Sequence, residues 1–276
     1  MSYWVAVVTR NGANHLTRTL DSILDQTEKP TRITVVDDGS TDDTPKILQK
    51  YRELNKSVIA LTKPDRGYDI RRVPANINLA CKRGADTEAT YFMISGDDCI
   101  YPSNYSQSLT ASFDSTPLLV VASGRPSTGS REHSPSGSGR MIRASFWRDM
   151  GGAYPLKAGW ETWLLYKARE KGFQVRLFDD LTYEHARPRG TEHQFVYWGA
   201  AMGTLGYDPL YALGRIAKNL FVRSVSVRGT VNMLRGYFAA ELGSDDPFMS
   251  RFDKSLREFV KRGQQRRIAK IAARLI

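Results

Sequence analysis

The fold is indicated most clearly by residues 5–44, VAVVTRNGANHLTRTLDSILDQTEKPTRITVVDDGSTDDT. This segment opens on an apolar, β-rich run, and Leu16, Leu20 and Ile23 then recur at the spacing of one helix face before a second β-rich run. A strand, a helix and a strand in this order predict a βαβ unit, whose two strands are parallel in one sheet. Asp37 and Asp38 end the second run and should therefore lie at the carboxyl edge of that sheet.

The same alternation continues downstream and predicts further strands at 57–62, 90–95 and 118–123. In α/β sheets of this kind, ligands bind at the carboxyl ends of the strands. Thr9, which ends the first run, and the pair Asp97 and Asp98 also occupy such positions. The sequence therefore predicts one functional site built from segments that are far apart along the chain.

Asp97 and Asp98 raise a physical question, because they interrupt the apolar stretch FMISGDDCIY at 92–101. Burying charge is unfavourable unless the charged group has a partner. A carboxylate pair at this position is thus expected to have a partner. The alternative is a polar strand end without a ligand.

The second half of the chain is less regular. Residues 124–139 are rich in Gly, Ser and Pro and are expected to form a mobile loop. The elements expected next are a strand at 140–144, a helix near 145–150, a helix at about 161–171, a strand at 173–180, an exit from the sheet at 181–193, and helices from residue 207 onward. We therefore predict a catalytic domain at 1–205, with halves 1–123 and 124–205, and a basic helical region at 206–276.

Composition restricts the protein class. A chain of 276 residues with 41% hydrophobic and 25% charged residues can bury a full core. No window approaches the roughly 18 uninterrupted apolar residues of a membrane span, and the first residues resemble no secretory leader. We expect a cytoplasmic protein, and Cys81 and Cys99 fit a reducing compartment without a metal-binding spacing.

The positive charge is concentrated at the C-terminal end. Of the net charge of +11, residues 210–276 hold 14 Lys/Arg against 5 Asp/Glu. The final segment also places a set of apolar residues on one helix face: Leu256, Phe259, Val260, Ile268, Ile271, Ala272 and Leu275. This pattern is typical of a helix on an anionic membrane surface, and packing on the catalytic domain would give the same apolar stripe.

Several ordered motifs resemble those of family 2 glycosyltransferases of the GT-A fold. They are the strand ending in Thr9, the segment SILDQT, the segment VDDGSTD, the acidic GDDCIYP and the segment GWETWLLYKAREKGF, which together cover residues 5 to about 185. The resemblance implies an α/β fold with a Rossmann-like mixed sheet flanked by helices and a helical C-terminal extension. It also implies inverting, metal-dependent transfer of a sugar from a nucleotide donor, expected to be UDP-linked, to an acceptor hydroxyl in polysaccharide, glycolipid or glycan assembly.

The resemblance assigns a nucleotide site to the first half. Thr9 and Asp38 would contact the base and Asp37 would support their turn, although Asp-Asp-Gly-Ser also suits a simple turn and helix cap. Arg71 and Arg72 would contact the nucleotide or its phosphates, with a solvated pair as the alternative. Asn76 would assist them.

The same resemblance assigns ligands to the acidic motif GDDCIYP. Asp98 would bind Mn²⁺ or Mg²⁺ and Asp97 the ribose, although the two roles could shift by one position because Ser95 stands where the family often has Asp. His185 would complete the metal or phosphate site, with a structural histidine as the alternative. Arg187 and Arg189 beside it could clamp the diphosphate, whereas His133 and His193 have no such support.

Glu161 matches the position of the family's catalytic base, which would deprotonate the acceptor. The sequence departs from the family here, because Glu stands where Asp is usual and Trp160 where an acidic residue often precedes it. An ordinary helix-start glutamate is the alternative. In that case Asp149, Asp179 and Asp180 are the other candidates for the base.

Two other classes of function remain open from the residues alone. A nucleotidyltransferase would also need a nucleotide-binding sheet and acidic metal ligands, and a nucleic-acid-binding module would use the basic region. Base-stacking aromatics are sparse there, so no nucleic acid partner is expected. The expected partners are a nucleotide-sugar donor and a glycan or lipid-linked acceptor, with the protein peripheral on the inner membrane face.

Overall fold

The computed structural model describes residues 2–84, 89–127, 134–187, 194–221 and 225–273. The chain divides into two compact units: the sheet unit, residues 1–154 and 172–188, and the helical unit, residues 155–171 and 189–276. The expected domains at 1–205 and 206–276 stay a prediction about function, since units of packing need not coincide with units of activity.

The described residues of the sheet unit form eight strands and five helices. The strands are β1 (Tyr3–Thr9), β2 (Ile33–Asp37), β3 (Val58–Thr62), β4 (Tyr91–Ser95), β5 (Cys99–Ile100), β6 (Leu119–Pro126), β7 (Arg140–Arg143) and β8 (Gln174–His185). The helices are α1 (Leu16–Leu24), α2 (Thr44–Leu54), α3 (Val73–Gly84), α4 (Tyr105–Ser115) and α5 (Ala144–Asp149), with a 3-10 turn at Ile70–Arg72. The strand order is β3-β2-β1-β4-β7-β6-β8-β5.

The parallel half of the sheet aligns the strand ends that carry the predicted site. β1 lies between β2 and β4 and is parallel to both, with Thr9 paired to Asp37 and Val7 to Ser95. These strands are almost wholly buried, which is why they are continuous apolar runs rather than alternating ones. The predicted βαβ unit is thus confirmed.

The other half of the sheet is mixed, and it corrects one expectation. β7 is antiparallel to both β4 and β6, whereas β8 is parallel to β6 and antiparallel to β5. The predicted exit from the sheet after residue 180 is wrong, because β8 continues to His185. A register shift between Gly124 and Arg125 of β6 lets its partner β8 continue past its own polar residues.

The expected loop at 124–139 is also corrected in part. Its first residues belong to β6, which ends at Pro126. At its other end Ser136 is buried, and Gly139 donates a backbone hydrogen bond to Ile94. Residues 128–133, including His133, lie outside the described residues.

The helical unit contains α6 (Trp160–Glu170), α7 (Phe195–Thr204), α8 (Pro209–Phe221), α9 (Val227–Leu242) and α10 (Lys254–Ala272), with a 3-10 turn at Pro247–Met249. Helix begins at Phe195, earlier than the predicted residue 207. The unit has its own core, to which Leu256 and Val260 of α10 contribute. In the same helix Ile271 is 53% exposed, so only the first half of the predicted apolar stripe is packed. Among the described residues, no helix is long and apolar enough to cross a membrane.

α7 and α9 pack in backbone contact. A Cβ added at Gly199 would overlap the carbonyl oxygen of Met233, and one added at Gly236 would overlap that of Val196. Glycine at these two positions therefore allows an approach that any side chain would prevent. The adjacent contact of Gly203 with Tyr237 is nearly as close, at 2.5 Å from a Cβ to the carbonyl oxygen.

This contact generates a stability prediction. Gly236→Ala should lower the free energy of unfolding by about 1–3 kcal/mol, because the added methyl group meets backbone that cannot rotate away. Gly214→Ala in α8 is the matched control: it has open space around the added Cβ and should raise stability by about 0.5–1 kcal/mol. Denaturant unfolding followed by circular dichroism measures both, and equal stability of Gly236→Ala and the wild type would contradict the contact.

Candidate active site

Thr9 joins the two acidic segments of the sheet unit. Its Oγ1 donates a 2.6 Å hydrogen bond to Oδ2 of Asp97, which follows β4. Its backbone oxygen accepts a 3.0 Å bond from the amide of Asp38, which follows β2. The acids predicted from separate segments therefore lie on either side of the end of β1.

Asp97 is held by donors. It is 5% exposed, and Arg187 Nη2 lies 3.0 Å from the same oxygen that Thr9 contacts. Burial raises the pKa of the Asp97 carboxyl, while the charge of Arg187 and the hydrogen bond from Thr9 act in the opposite direction. A Cβ at Gly12 would overlap both Asp97 Oδ2 and Thr9 Oγ1, so this contact requires glycine at residue 12.

Asp98 lies beside a histidine because of strand pairing. β5 and β8 pair Cys99 with His185, and Asp98 Oδ2 is 3.8 Å from His185 Nδ1. One potential ligand atom each from Asp98, Cys99 and His185 lie within 4.8 Å of one another. Burial raises the pKa of the Cys99 thiol to about 12. Carboxylate oxygen suits a hard cation such as Mn²⁺ or Mg²⁺ better than sulfur does.

The His185 ring is oriented by the backbone. Its Nδ1 is 2.9 Å from the carbonyl oxygen of Arg187. This contact fixes the orientation of the imidazole beside Asp98. Arg187 thus contacts Asp97 through its side chain and His185 through its backbone.

Buried tyrosines support the turn between β4 and β5. Tyr101 hydrogen-bonds Ser95 Oγ at 2.8 Å, and Tyr183 donates to the carbonyl of Ser138 at 2.9 Å. Burial holds the pKa of Tyr101 well above its ordinary value, so the hydroxyl stays neutral. Gly96 leaves room for the acids, since a Cβ there would be 2.8 Å from Asp98 Oδ1.

Asp38 is the centre of a second cluster. Arg72 Nε lies 3.0 Å from Asp38 Oδ2, and Lys63 Nζ lies 3.4 Å from Oδ1. Lys63 also donates a 2.7 Å bond to Oδ1 of the buried Asn76. The structure therefore brings together the predicted Asp38, Arg72 and Asn76, and it adds Lys63, which the sequence reasoning missed.

Asp37 and Arg71 contact neighbouring loop residues. Asp37 Oδ1 accepts bonds from the amide of Ser40 at 3.0 Å and from its hydroxyl at 2.5 Å, and burial raises the pKa of the carboxyl. Its Oδ2 is buried and has no hydrogen-bond partner within the described part of the chain. Arg71 pairs with Asp69 through Nη2 at 2.9 Å. These contacts shape the loops around the second cluster.

Arg10 ties these loops together, and sequence reasoning missed it as well. Its Nη1 donates to the carbonyl oxygens of Asp38 and Gly39 at 2.5 and 2.7 Å, and its Nη2 lies 2.7 Å from Asp65 Oδ1. The loops that follow β1, β2 and β3 are therefore held by one guanidinium. Its position directly after Thr9 was the available signal, but an arginine after a strand has no distinctive pattern.

Glu161 belongs to the helical unit. It lies in the first turn of α6, which starts after Gly159 in a left-handed conformation with φ of 86°. Trp160 packs against a small apolar cluster that includes Ala200 and Phe248. Of the alternative bases, Asp179 is paired with Arg125. Arg189 and His193 lie outside the described residues.

Solved structures provide the first comparison. S. aureus TarS 1-349 superposes with a TM-score of 0.57 at 18% identity, covering 87% of this chain and 80% of that one. The same protein in complex with UDP-GlcNAc gives 0.59 at 17% identity, covering 87% and 81%. The mannosyltransferase PcManGT from Pyrobaculum calidifontis, in complex with GDP-Man and Mn²⁺, gives 0.57 at 16% identity, covering 86% and 69%.

Sequence comparison supplies the family. A search of curated protein sequences gave no significant match. The family model described as glycosyl transferase family 2 matches residues 4–177, which is more than half of the 276 residues. The chain therefore belongs to glycosyltransferase family 2, and it has the GT-A fold of those enzymes.

Proposed function

We propose that this glycosyltransferase moves a sugar from a nucleotide-sugar donor to an acceptor hydroxyl with inversion, using a divalent cation. The observation that carries the proposal is the joining of Asp38 and Asp97 through Thr9, which makes one continuous polar edge from two strand ends. Nucleotide sugars bound to structures of the same fold support it. Family membership argues against the nucleotidyltransferase and nucleic-acid-binding alternatives.

The cluster around Asp38 would bind the nucleotide. Asp38 would accept a hydrogen bond from the base, and Thr9 would contact the same group, with Asp37 supporting the turn through Ser40. Lys63 and Arg72 bring two cations to this cluster, where phosphate oxygens would be attracted. Arg71 and Asn76 would complete the nucleotide site, and Asp97 would bind the ribose.

The residues around Asp98 fit a divalent cation. A carboxylate and an imidazole lie within reach of one another in a largely buried position, and both are ligands of Mn²⁺, whereas Mg²⁺ favours the carboxylate and phosphate oxygens. Asp98 and His185 would hold the cation, which would act as a Lewis acid on the departing diphosphate. Arg187 would add positive charge at the same edge.

Glu161 would act as the general base. As the acceptor oxygen forms its bond to the anomeric carbon, the bond from that carbon to the diphosphate oxygen breaks, and the hydroxyl proton goes to the Glu161 carboxylate. One such displacement inverts the anomeric centre without a covalent intermediate. A UDP-linked donor and a glycan or lipid-linked acceptor in polysaccharide or glycolipid assembly complete the proposal.

A ligand screen tests nucleotide binding. A ligand that binds only the native state raises its apparent stability, so a nucleoside diphosphate or nucleotide sugar of the correct class should raise Tm in the presence of Mn²⁺. Thermal unfolding should be compared among UDP-, GDP- and other nucleotide-linked sugars. Asp38→Asn should reduce the shift, while Asp43→Asn, at a surface ion pair with Lys46, should leave it unchanged. No shift with any nucleotide would contradict the proposed site.

Asp98→Asn tests the cation. We expect it to abolish Mn²⁺-dependent transfer while the fold is retained, because an amide is a weaker ligand for a hard cation than a carboxylate. Removing one of two adjacent buried charges should also leave thermal stability equal or higher in the absence of metal. Turnover at the wild-type rate with Mn²⁺ would show that the metal assignment is wrong.

Glu161→Gln tests the base. It keeps the shape of the side chain and removes its basicity, so kcat should fall by about a hundred- to ten-thousand-fold while donor affinity stays nearly constant. Glu161→Asp retracts the carboxylate by one methylene group, and that displacement of about 1 Å should lower kcat by up to a hundredfold. Glu258→Gln in α10 is the control. A near-wild-type kcat for Glu161→Gln at saturating substrates would move the search to Asp149, Asp179 and Asp180.

A further inference from the structure

α9 is apolar on two opposite sides. Gly229, Met233, Gly236, Tyr237 and Ala240 form its buried face. The other side carries an exposed apolar stripe at the spacing of a single helix face: Val227 (70% exposed), Val231 (47%), Phe238 (46%) and Leu242 (79%). Apolar side chains that are exposed together on one helix face are typical of an interaction surface, whereas single exposed ones are ordinary.

α8 shows the same feature. Ala212 and Ile216 face the core of the helical unit, while Leu210 (67% exposed), Leu213 (41%) and Phe221 (82%) face outward. α8 and α9 contact each other within the unit. The seven exposed side chains named on these two helices are called the hairpin stripe below. Their number and exposure exceed the isolated apolar residues that are ordinary on protein surfaces.

The charges of the two helices identify the kind of environment. They carry Arg215, Lys218, Arg228 and Arg235 against one acid, Glu241. Glu241 is neutralised by Arg257, whose Nη2 lies 2.8 Å from its Oε2. The hairpin stripe is therefore accompanied by positive charge, with its single acid already paired.

We propose that α8 and α9 dock on an anionic membrane surface, with the hairpin stripe among the acyl chains and the four basic side chains at the lipid headgroups. Apolar side chains combined with arginine and lysine are the composition of helices that lie in a bilayer interface. This assignment moves the membrane contact away from α10, whose Leu256 and Val260 are occupied in the core of the helical unit. It does not depend on the nucleotide-sugar chemistry.

A second copy of the chain fits the surface less well. Most homodimers are two-fold symmetric, so the same patch meets itself and like charges face one another. Four basic residues and a neutralised acid offer no complementary charge for such a contact. An anionic lipid surface supplies that charge directly.

Vesicle binding tests the proposal with the full chain. Wild-type protein should cosediment with vesicles of phosphatidylcholine that contain about 30% phosphatidylglycerol. It should cosediment far less with vesicles of phosphatidylcholine alone. Phe221→Ser combined with Leu242→Ser should weaken partitioning onto the anionic vesicles by about tenfold or more. The variant lacks two large apolar side chains whose transfer from water into the bilayer would favour binding. Leu54→Ser is the matched control: Leu54 is 70% exposed in the sheet unit, and its loss should leave partitioning unchanged.

A labelled variant separates insertion from electrostatic adsorption. Cys81 and Cys99 are buried, so a thiol introduced by Phe221→Cys can be labelled selectively with an environment-sensitive fluorophore. Anionic vesicles should shift its emission to the blue, whereas a label at Leu54→Cys should not respond. Circular dichroism of each variant establishes that it is folded.

Three outcomes would overturn the proposal. The first is that the double serine variant and the wild type partition equally onto vesicles. The second is that the label at residue 221 does not respond to vesicles. The third is that the wild type binds no vesicles but forms a dimer in sedimentation velocity, and the serine variant loses that dimer. The last result would assign the hairpin stripe to self-association. Loss of vesicle binding with an unchanged nucleotide-induced Tm shift separates this surface from the donor site.

Discussion

The need to stabilise buried carboxylates at the ends of adjacent strands controls the organisation of the sheet unit. Asp97 is almost fully buried, and it is accommodated because Thr9 and Arg187 donate to the same carboxylate oxygen. These two partners lie at the ends of the first and last strands of the sheet unit, since Thr9 ends β1 and Arg187 follows β8. The charge of one side chain thus makes the beginning and the end of the sheet unit dependent on each other.

The sequence predicted the parallel half of the fold well because each strand there is a continuous apolar run that ends in polar residues. It predicted this strand only up to Asp180 and missed the continuation of β8 to His185, because Asp179 and Asp180 resemble the end of a strand and β8 is only partly buried. Pairing with β6 across register shifts, and with β5, maintains that strand. Such long-range pairing leaves no local periodicity, so residue spacing alone could not reveal it.

The candidate site shows a similar division. Asp37, Asp38, Asp97 and Asp98 were predictable because acids at strand ends form a compact motif. Lys63 and Arg10 were not, since each is one cation in a chain with 40 Lys and Arg, and only the fold brings them to Asp38. Gly12 was also missed: it acts by leaving space beside Asp97, and that requirement depends on a residue 85 positions away in the sequence.

The bonds of Arg10 have a thermodynamic consequence for ligand affinity. One guanidinium holds the carbonyls of Asp38 and Gly39 and the carboxylate of Asp65, so three loops that border the site are immobilised together before any ligand arrives. Ordering flexible loops on association reduces affinity, because the conformational entropy that they lose opposes binding. Preorganised loops lose less entropy, and a larger share of the contact energy is then available as binding free energy.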